Sequence, residues 1–361
     1  MYLQKDSLYH SVLYGSGVYY ATPDAATDPI SREQGASFTN TLHGESFFAR
    51  AFGRNLEEEE VDNYKKLVLS PPDIKNILWP KDFVEIGEGQ AVEGVVRLDN
   101  IYEHSEKEKV VAKDYVFLFS DKACPESIDL EKYLKQIKHN CAGSVTDRSQ
   151  WQNYRNPEIL TLAKDLVEKI DMLNREGYLY LDFHPSRLRI VNRELYLDFS
   201  NLIYDMEDVY KRKVANPGAE KLPIEFIAPE LYSRQKKRID FGTQNYSLAS
   251  ILFYLLVGRN AYDGRLRATD IDDSLYNHYR KFENMIEQPI FIFDKQDEAN
   301  HPEDNTIGQA LLERWGTYPK LMRYMFIKAL SRKVEYGQKL SYRYHDELPT
   351  PRQWINLLYS L

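Results

Sequence analysis

The chain is poor in cysteine: its 361 residues include only Cys124 and Cys141. Two thiols cannot by themselves complete a four-ligand zinc cluster, and so low a number suits a reducing compartment, although one disulfide between them stays open. The N-terminus also lacks the basic start and the apolar run that are typical of a signal peptide. These absences predict a cytoplasmic protein.

Long hydrophobic runs and an excess of positive charge are lacking as well. The most apolar window, residues 246–257, is shorter than the roughly 18 apolar residues of a membrane-spanning helix, so we expect no membrane partner. Lysine and arginine number 47 against 55 aspartates and glutamates, which gives a net charge of −8. Because no basic field is present, we do not expect the chain to bind nucleic acid.

The hydrophobic pattern changes along the chain. Residues 1–28 are rich in tyrosine and predict an N-terminal extension, whereas residues 29–121 are mostly typical of strands, with one amphipathic helix at 56–69. From 122 to 361 the apolar residues recur at helical spacing, and residues 243–258 are apolar on nearly all sides, as in a buried helix. Strands first and helices later predict an α+β protein with a small strand-rich lobe and a larger helical lobe.

The pentapeptide LYLDF occurs twice, and its aspartates Asp182 and Asp198 lie sixteen residues apart. An aspartate between a strand and a turn is common for purely structural reasons. The repeat alone therefore leaves two interpretations open: a plain β-hairpin, or the two carboxylates of one active site.

The motifs around this repeat resemble those of the eukaryotic-like protein kinases. YLDFHPSRL resembles their catalytic loop, DFS their Asp-Phe-Gly motif, IAPEL their Ala-Pro-Glu motif and YSLASILFYLLVG the central helix of their large lobe. Four further stretches are similar to a group of bacterial kinase-like proteins: PPDIKNILWPKDFVEI, QPIFIFDKQDEAN, WGTYPKLMRYMFIKAL and PTPRQWINLL. The resemblance covers residues 30–361 and implies a two-lobed kinase-like fold, with residues 29–121 as the N-lobe and 122–361 as the C-lobe.

The resemblance implies roles for three residues of the catalytic loop and for Asp198. Asp182 takes the position of the catalytic aspartate, Asp198 that of the metal-binding aspartate, and His184 that of the loop lysine. Arg187 stands where these enzymes have a metal-binding asparagine, and a guanidinium donates hydrogen bonds but cannot ligate Mg²⁺. We predict that Arg187 forms a salt bridge with Asp198 or contacts a phosphate, in place of a cation. ATP is then the implied cofactor, and Asp198 is the remaining candidate ligand for Mg²⁺.

The resemblance also implies nucleotide-binding residues in the predicted N-lobe. The phosphate-covering loop falls at residues 33–38, where Gly35 permits the backbone to approach a phosphate closely. Arg50 stands at the position of the strand lysine, where it would hold the ATP phosphates or pair with a helix glutamate. Glu59 and Glu60 are the candidate partners, and a solvated helix face is the other interpretation of that acidic run.

The activation segment and its supports depart from the kinase pattern. Residues 202–228 contain no serine or threonine, and Pro223 takes the position of a threonine that normally contacts the catalytic aspartate. Gln244 replaces the buried aspartate that braces the catalytic loop. Leu348 replaces the arginine that usually pairs with Glu230.

These departures support two hypotheses of function. The first is a catalytically impaired pseudokinase, a signalling module that senses nucleotide or binds a protein partner, because several catalytic positions have changed at once. The alternative is an active, divergent, ATP-dependent serine/threonine protein kinase with a protein substrate. In that alternative Asp182 orients the acceptor hydroxyl, Asp198 holds Mg²⁺ and Arg50 contacts the phosphates.

Overall fold

The computed structural model describes residues 8–13, 18–22, 37–40, 45–51, 55–85, 92–97, 110–112, 115–120, 127–141, 153–200, 202–211, 214, 225–232, 238–264, 290–295, 300–302, 305–331, 333–335, 339–341 and 348–361. They form a mixed α+β structure, which confirms the predicted class. The chain divides into two compact units, unit 1 with Met1–Asp129 and Ser186–Asp205, and unit 2 with Leu130–Pro185 and Met206–Leu361. The segment Ser186–Asp205, which the sequence analysis included in the C-lobe, thus belongs to unit 1. The predicted boundaries at 28/29 and 121/122 stay predictions.

The described part of unit 1 is built on β-sheets and one helix. Its elements are β1 (Leu8–His10), β2 (Val18–Thr22), β3 (Ser37–Asn40), β4 (Ser46–Ala51), α1 (Glu58–Leu69), β5 (Asp82–Glu85), β6 (Val92–Arg97), β7 (Val110–Ala112), β8 (Tyr115–Ser120), β9 (Ile128–Asp129), β11 (Leu188–Val191), β12 (Glu194–Leu197) and β13 (Ile203–Asp205). Strands β1, β2, β3, β4, β8 and β5 lie side by side in this order, each antiparallel to its neighbour. β6 pairs with the end of β4 and with β7, while β9, β11 and β12 form a second antiparallel sheet.

Two strands of the large sheet lie in the predicted N-terminal extension. β1 and β2 pair with each other, and β2 pairs with β3. Beyond β1, Ser11 forms a bridge with Val84, and the N–H of Val12 donates to the carbonyl of Phe83 at 3.0 Å. The residues after β1 therefore pair with β5, the strand at the other end of the row. The described part of residues 1–28 thus belongs to the sheet.

Strands β4 and β8 form the centre of unit 1. Phe48 lies opposite Phe119, and Arg50 lies opposite Phe117. Because side chains alternate between the two faces of a strand, Phe48 and Arg50 share one face. All four side chains are buried. The sheet therefore carries an arginine among phenylalanines at its core.

Helix α1 confirms the amphipathic helix predicted at 56–69, with a start two residues later. Three glutamates occupy its first turn, where negative charge is favourable beside the helix dipole. Its buried residues recur at helical spacing and include Val61, Tyr64 and Leu67. The helix ends before Pro71, which cannot continue it.

Unit 2 is mainly helical where it is described. Its elements are α2 (Leu130–Cys141), a 3₁₀ turn (Asn153–Arg155), α3 (Pro157–Arg175), β10 (Tyr178–Tyr180), α4 (Met206–Tyr210), α5 (Pro229–Tyr232), α6 (Phe241–Val257), α7 (Thr306–Thr317), α8 (Lys320–Leu330), β14 (Lys333–Glu335), β15 (Lys339–Ser341) and α9 (Pro351–Tyr359). Among the described residues, no helix combines the length and hydrophobicity that crossing a bilayer requires.

Helix α6 is the predicted buried helix, and it is buried on nearly every side. It begins at Asp240, whose carboxylate accepts the N–H of Thr243 at 3.0 Å. Its last carbonyls are satisfied from other elements: Asn153 Nδ2 donates to Leu255 O at 2.8 Å, and the Tyr318 hydroxyl donates to Leu256 O at 2.9 Å. Burial raises the pKa of the Tyr318 phenol above its usual range, so the hydroxyl keeps the proton that it donates.

Two glycines with positive φ end helices α3 and α6, and they differ in their surroundings. A Cβ on Gly177 (φ +91°) would meet no atom within 4 Å, whereas a Cβ on Gly258 (φ +81°) would lie 2.8 Å from Asn153 Nδ2. Gly177→Ala should therefore cost only backbone strain, about 1 kcal/mol. Gly258→Ala should cost at least about 1 kcal/mol more, because it also displaces the hydrogen bond to Leu255. Urea unfolding of both variants measures the difference, and equal losses would show that Asn153 yields freely.

Candidate functional site

The described part of unit 1 contains a buried ion pair. Arg50 Nη1 on β4 lies 2.5 Å from Asp198 Oδ1, directly after β12. The exposed fractions of the two side chains are 6% and 7%. Burial at this level removes water from both charges, so each depends on the other for compensation. The pair joins residues 148 positions apart in the sequence.

Two aromatic rings flank the Arg50 guanidinium. Its central carbon lies 5.4 Å from the ring centre of Phe48 and 5.5 Å from that of Phe119. The rings stack on each other, with centroids 5.3 Å apart and planes inclined by 14°. The π faces attract the cation, and the hydrocarbon lowers the local dielectric constant, so that the attraction to Asp198 is stronger than in water.

The residue after Asp198 is fixed by a second set of aromatic contacts. The ring of Phe199 lies 5.2 Å from that of Trp79, 5.9 Å from Phe117 and 6.2 Å from both Tyr64 and Phe119. Tyr64 belongs to α1, and the two phenylalanines belong to β8. The backbone that carries the Asp198 carboxylate is therefore anchored to the helix and to the central sheet.

The partner of Asp198 differs from the predicted one. The sequence predicts that Arg187 pairs with Asp198 or contacts a phosphate, and that Arg50 holds phosphates or pairs with Glu59 or Glu60. In the structure Arg50 pairs with Asp198 instead, and the phosphate contacts stay predictions. The carboxylate of Glu60 instead accepts the N–H of Glu57 at 3.1 Å, at the start of α1, and Glu59 is exposed. Arg187 is buried in the turn before β11.

The Asp198 carboxylate can offer a metal ion at most one oxygen that does not contact Arg50. Mg²⁺ requires oxygen ligands, and one oxygen of this carboxylate already binds a guanidinium. Among the described residues, no group of three or more His, Cys, Asp or Glu side chains is placed to hold a metal ion. A metal role for Asp198 stays a prediction, and while the ion pair is formed it would use the second carboxylate oxygen.

The described part of unit 2 contains the other predicted catalytic residues. Asp182 is fully buried, two residues after β10. The N–H of Tyr180 donates to Gln244 Oε1 at 2.9 Å, and Gln244 is itself fully buried in α6. The ring of His184 is half-buried and lies edge-on to Phe226, with centroids 5.9 Å apart. Gln244 therefore fixes the backbone that leads to Asp182, as the predicted bracing position implies.

The remaining predicted positions fall in different places. Gly35, Pro223 and most of the predicted phosphate-covering loop, residues 33–36, lie outside the described residues, whereas Ser37 and Phe38 begin β3. Leu348 is buried before α9. The sequence does not predict that Trp79 packs against Phe199. The one feature of the sequence that points to Trp79 is the Trp-Pro pair after α1.

Comparison of the chain with protein-family models and with curated proteins finds no match. The function is therefore inferred from the residues and their geometry.

A double-mutant cycle tests the buried ion pair. Arg50→Met and Asp198→Asn should each lower the free energy of unfolding by about 3 kcal/mol, because each leaves a buried polar partner uncompensated. The double variant should lose at least about 1.5 kcal/mol less than the sum of the two single losses. Urea unfolding measures all four proteins.

The matched control is the exposed pair of Lys135 and Glu131 on α2, whose atoms lie 2.6 Å apart. Its cycle should give a coupling below about 0.5 kcal/mol. Additive losses at Arg50 and Asp198 would contradict the inferred coupling.

Proposed function

We propose that the protein has a two-lobed protein-kinase-like fold and acts as a pseudokinase, a signalling module that senses nucleotide or binds a protein partner. The observation that carries this proposal is the buried ion pair of Arg50 and Asp198. It places a fixed protein cation on the carboxylate that a kinase would use to hold Mg²⁺.

Several features of the fold support the kinase-like part of the proposal. Strands β2, β3, β4, β8 and β5 form an antiparallel sheet, and α1 lies between β4 and β5 in the sequence. The hairpin of β11 and β12 ends at Asp198 and Phe199. The buried helix α6 supplies Gln244 to the backbone before Asp182. This order of elements agrees with the motif resemblance, and the family assignment is part of the proposal.

Phosphoryl transfer depends on neutralising the charge of the phosphates with correctly placed metal ions. Asp198 is occupied by Arg50, and Arg187 takes the position of a second metal ligand. Loss of a single preorganised electrostatic group commonly lowers the rate by about 10²–10³-fold. Two such losses, even if they are not additive, leave little transfer.

The alternative, an active protein kinase, draws on unit 2. Asp182 is fully buried, and the contact of Gln244 with the Tyr180 N–H preserves a support for its loop. In this alternative Asp182 would orient the hydroxyl of a serine or threonine substrate. Mg²⁺ would then bind the Asp198 oxygen that does not contact Arg50, or replace Arg50 at the other.

Thermal unfolding with ATP separates the two candidates. At a hundred times its Kd, ATP should add about 2.7 kcal/mol to the free energy of unfolding, which raises the melting temperature by a few degrees, roughly. A nucleotide-sensing pseudokinase should show the same shift in EDTA and in excess Mg²⁺, because Asp198 does not bind the metal. A shift confined to Mg²⁺ would favour the active kinase. No shift in either condition would contradict nucleotide sensing and leave partner binding.

A phosphate-transfer assay with labelled ATP and a generic protein substrate supplies the control. Under the proposal, the wild type and Asp182→Asn should both give background incorporation. Incorporation by the wild type that falls by about 10³-fold or more in Asp182→Asn would establish the alternative.

A further inference from the structure

The segment Asn76–Trp79, between α1 and β5, runs alongside β12, and we name it the clasp. The N–H of Leu78 donates to Leu197 O at 2.9 Å, and the N–H of Leu197 donates to Asn76 O at 3.0 Å. Ile77 and Leu197 form a parallel bridge. In addition, Asn76 Nδ2 donates to Glu194 Oε2 at 2.8 Å. The clasp is thus a short parallel segment that pairs with Leu197, the residue immediately before Asp198.

Trp79 connects the clasp to helix α1. Its indole N–H donates to the carbonyl of Leu67 at 2.8 Å. Leu67 lies in the last turn of α1, where carbonyls have no partner within the helix. The indole therefore caps α1 from outside. Trp79 is only 6% exposed, so this hydrogen bond is shielded from water.

The same side chain contacts the residue after Asp198. The Trp79 ring lies edge-on to the Phe199 ring, with centroids 5.2 Å apart and planes inclined by 75°. Asp198 therefore lies between two anchored neighbours: the backbone of Leu197 is bound to the clasp, and the ring of Phe199 packs on Trp79. Trp79 therefore links α1 to both neighbours of the carboxylate.

We propose that Trp79 is a positioning residue that couples α1 to the ion pair of Arg50 and Asp198. With the indole bound to Leu67, Asp198 is held against Arg50.

The test variant is Trp79→Phe, which removes the indole N–H and keeps an aromatic ring. Hydrogen–deuterium exchange, read by mass spectrometry, should become about fivefold faster in peptides that cover residues 76–79 and 194–199, the factor expected for one buried hydrogen bond. Peptides from α6 should keep their wild-type rates. Unchanged rates at 194–199, or an equal increase in all peptides, would overturn the coupling.

The matched control is Trp354→Phe on α9. Trp354 is fully buried, and its indole N–H has no hydrogen-bond partner among the described residues. This variant loses the same atoms from a buried tryptophan, but it should leave exchange at 194–199 unchanged. A faster rate at 194–199 in Trp354→Phe would attribute the effect to lost packing and overturn the role of the indole hydrogen bond.

Discussion

The buried ion pair of Arg50 and Asp198 is the contact on which the arrangement of unit 1 depends. A guanidinium on a central strand cannot stay buried without a compensating charge, because its desolvation is expensive. Asp198 supplies that charge, and Phe48 and Phe119 supply the rings around it. Because buried Arg50 needs this counter-charge, the end of β12, which leads directly to Asp198, must lie against strand β4.

The aromatic residues around the pair give it a defined geometry. Phe199 packs against α1, β8 and Trp79. These contacts restrict the positions that the neighbouring Asp198 carboxylate can take. The aromatic contacts are worth about 0.5–1.5 kcal/mol each beyond their buried area. The aromatic contacts favour one position of Asp198. The ion pair disfavours other positions, because a shift of Asp198 would leave Arg50 buried without its counter-charge.

Much of the local structure could be predicted from the sequence, whereas the pairing of charges could not. Helices α1 and α6 follow from apolar spacing and from the residues at their ends. The partner of Arg50 lies 148 positions away in the sequence. Glu59, Glu60 and Asp198 all carry a carboxylate, so the sequence alone gives no reason to prefer one of them as the partner. The short strands β1 and β2 were missed because three to five residues become a strand only through partners elsewhere. The clasp escaped prediction for the same reason.

Gln244 supports the backbone before Asp182 with only one of its two amide atoms. Its amide oxygen accepts the N–H of Tyr180 and so holds the backbone before Asp182. Its Nε2 atom, however, is buried and has no hydrogen-bond partner among the described residues. A carboxylate at this position would add a second acceptor instead of an unsatisfied donor. The brace of the loop is therefore present, but it is weaker than an aspartate would make it.

The two aspartates of the LYLDF repeat consequently carry different weight in an argument about activity. A binding module has no chemical need for a metal-binding carboxylate, and the presence of Asp198 at first favours an enzyme. In this protein Asp198 has another task, because Arg50 would be a buried, uncompensated charge without it. Asp198 thus has a structural task that does not depend on any catalytic role. The proposal of an active kinase therefore depends on Asp182, which is fully buried two residues after Tyr180.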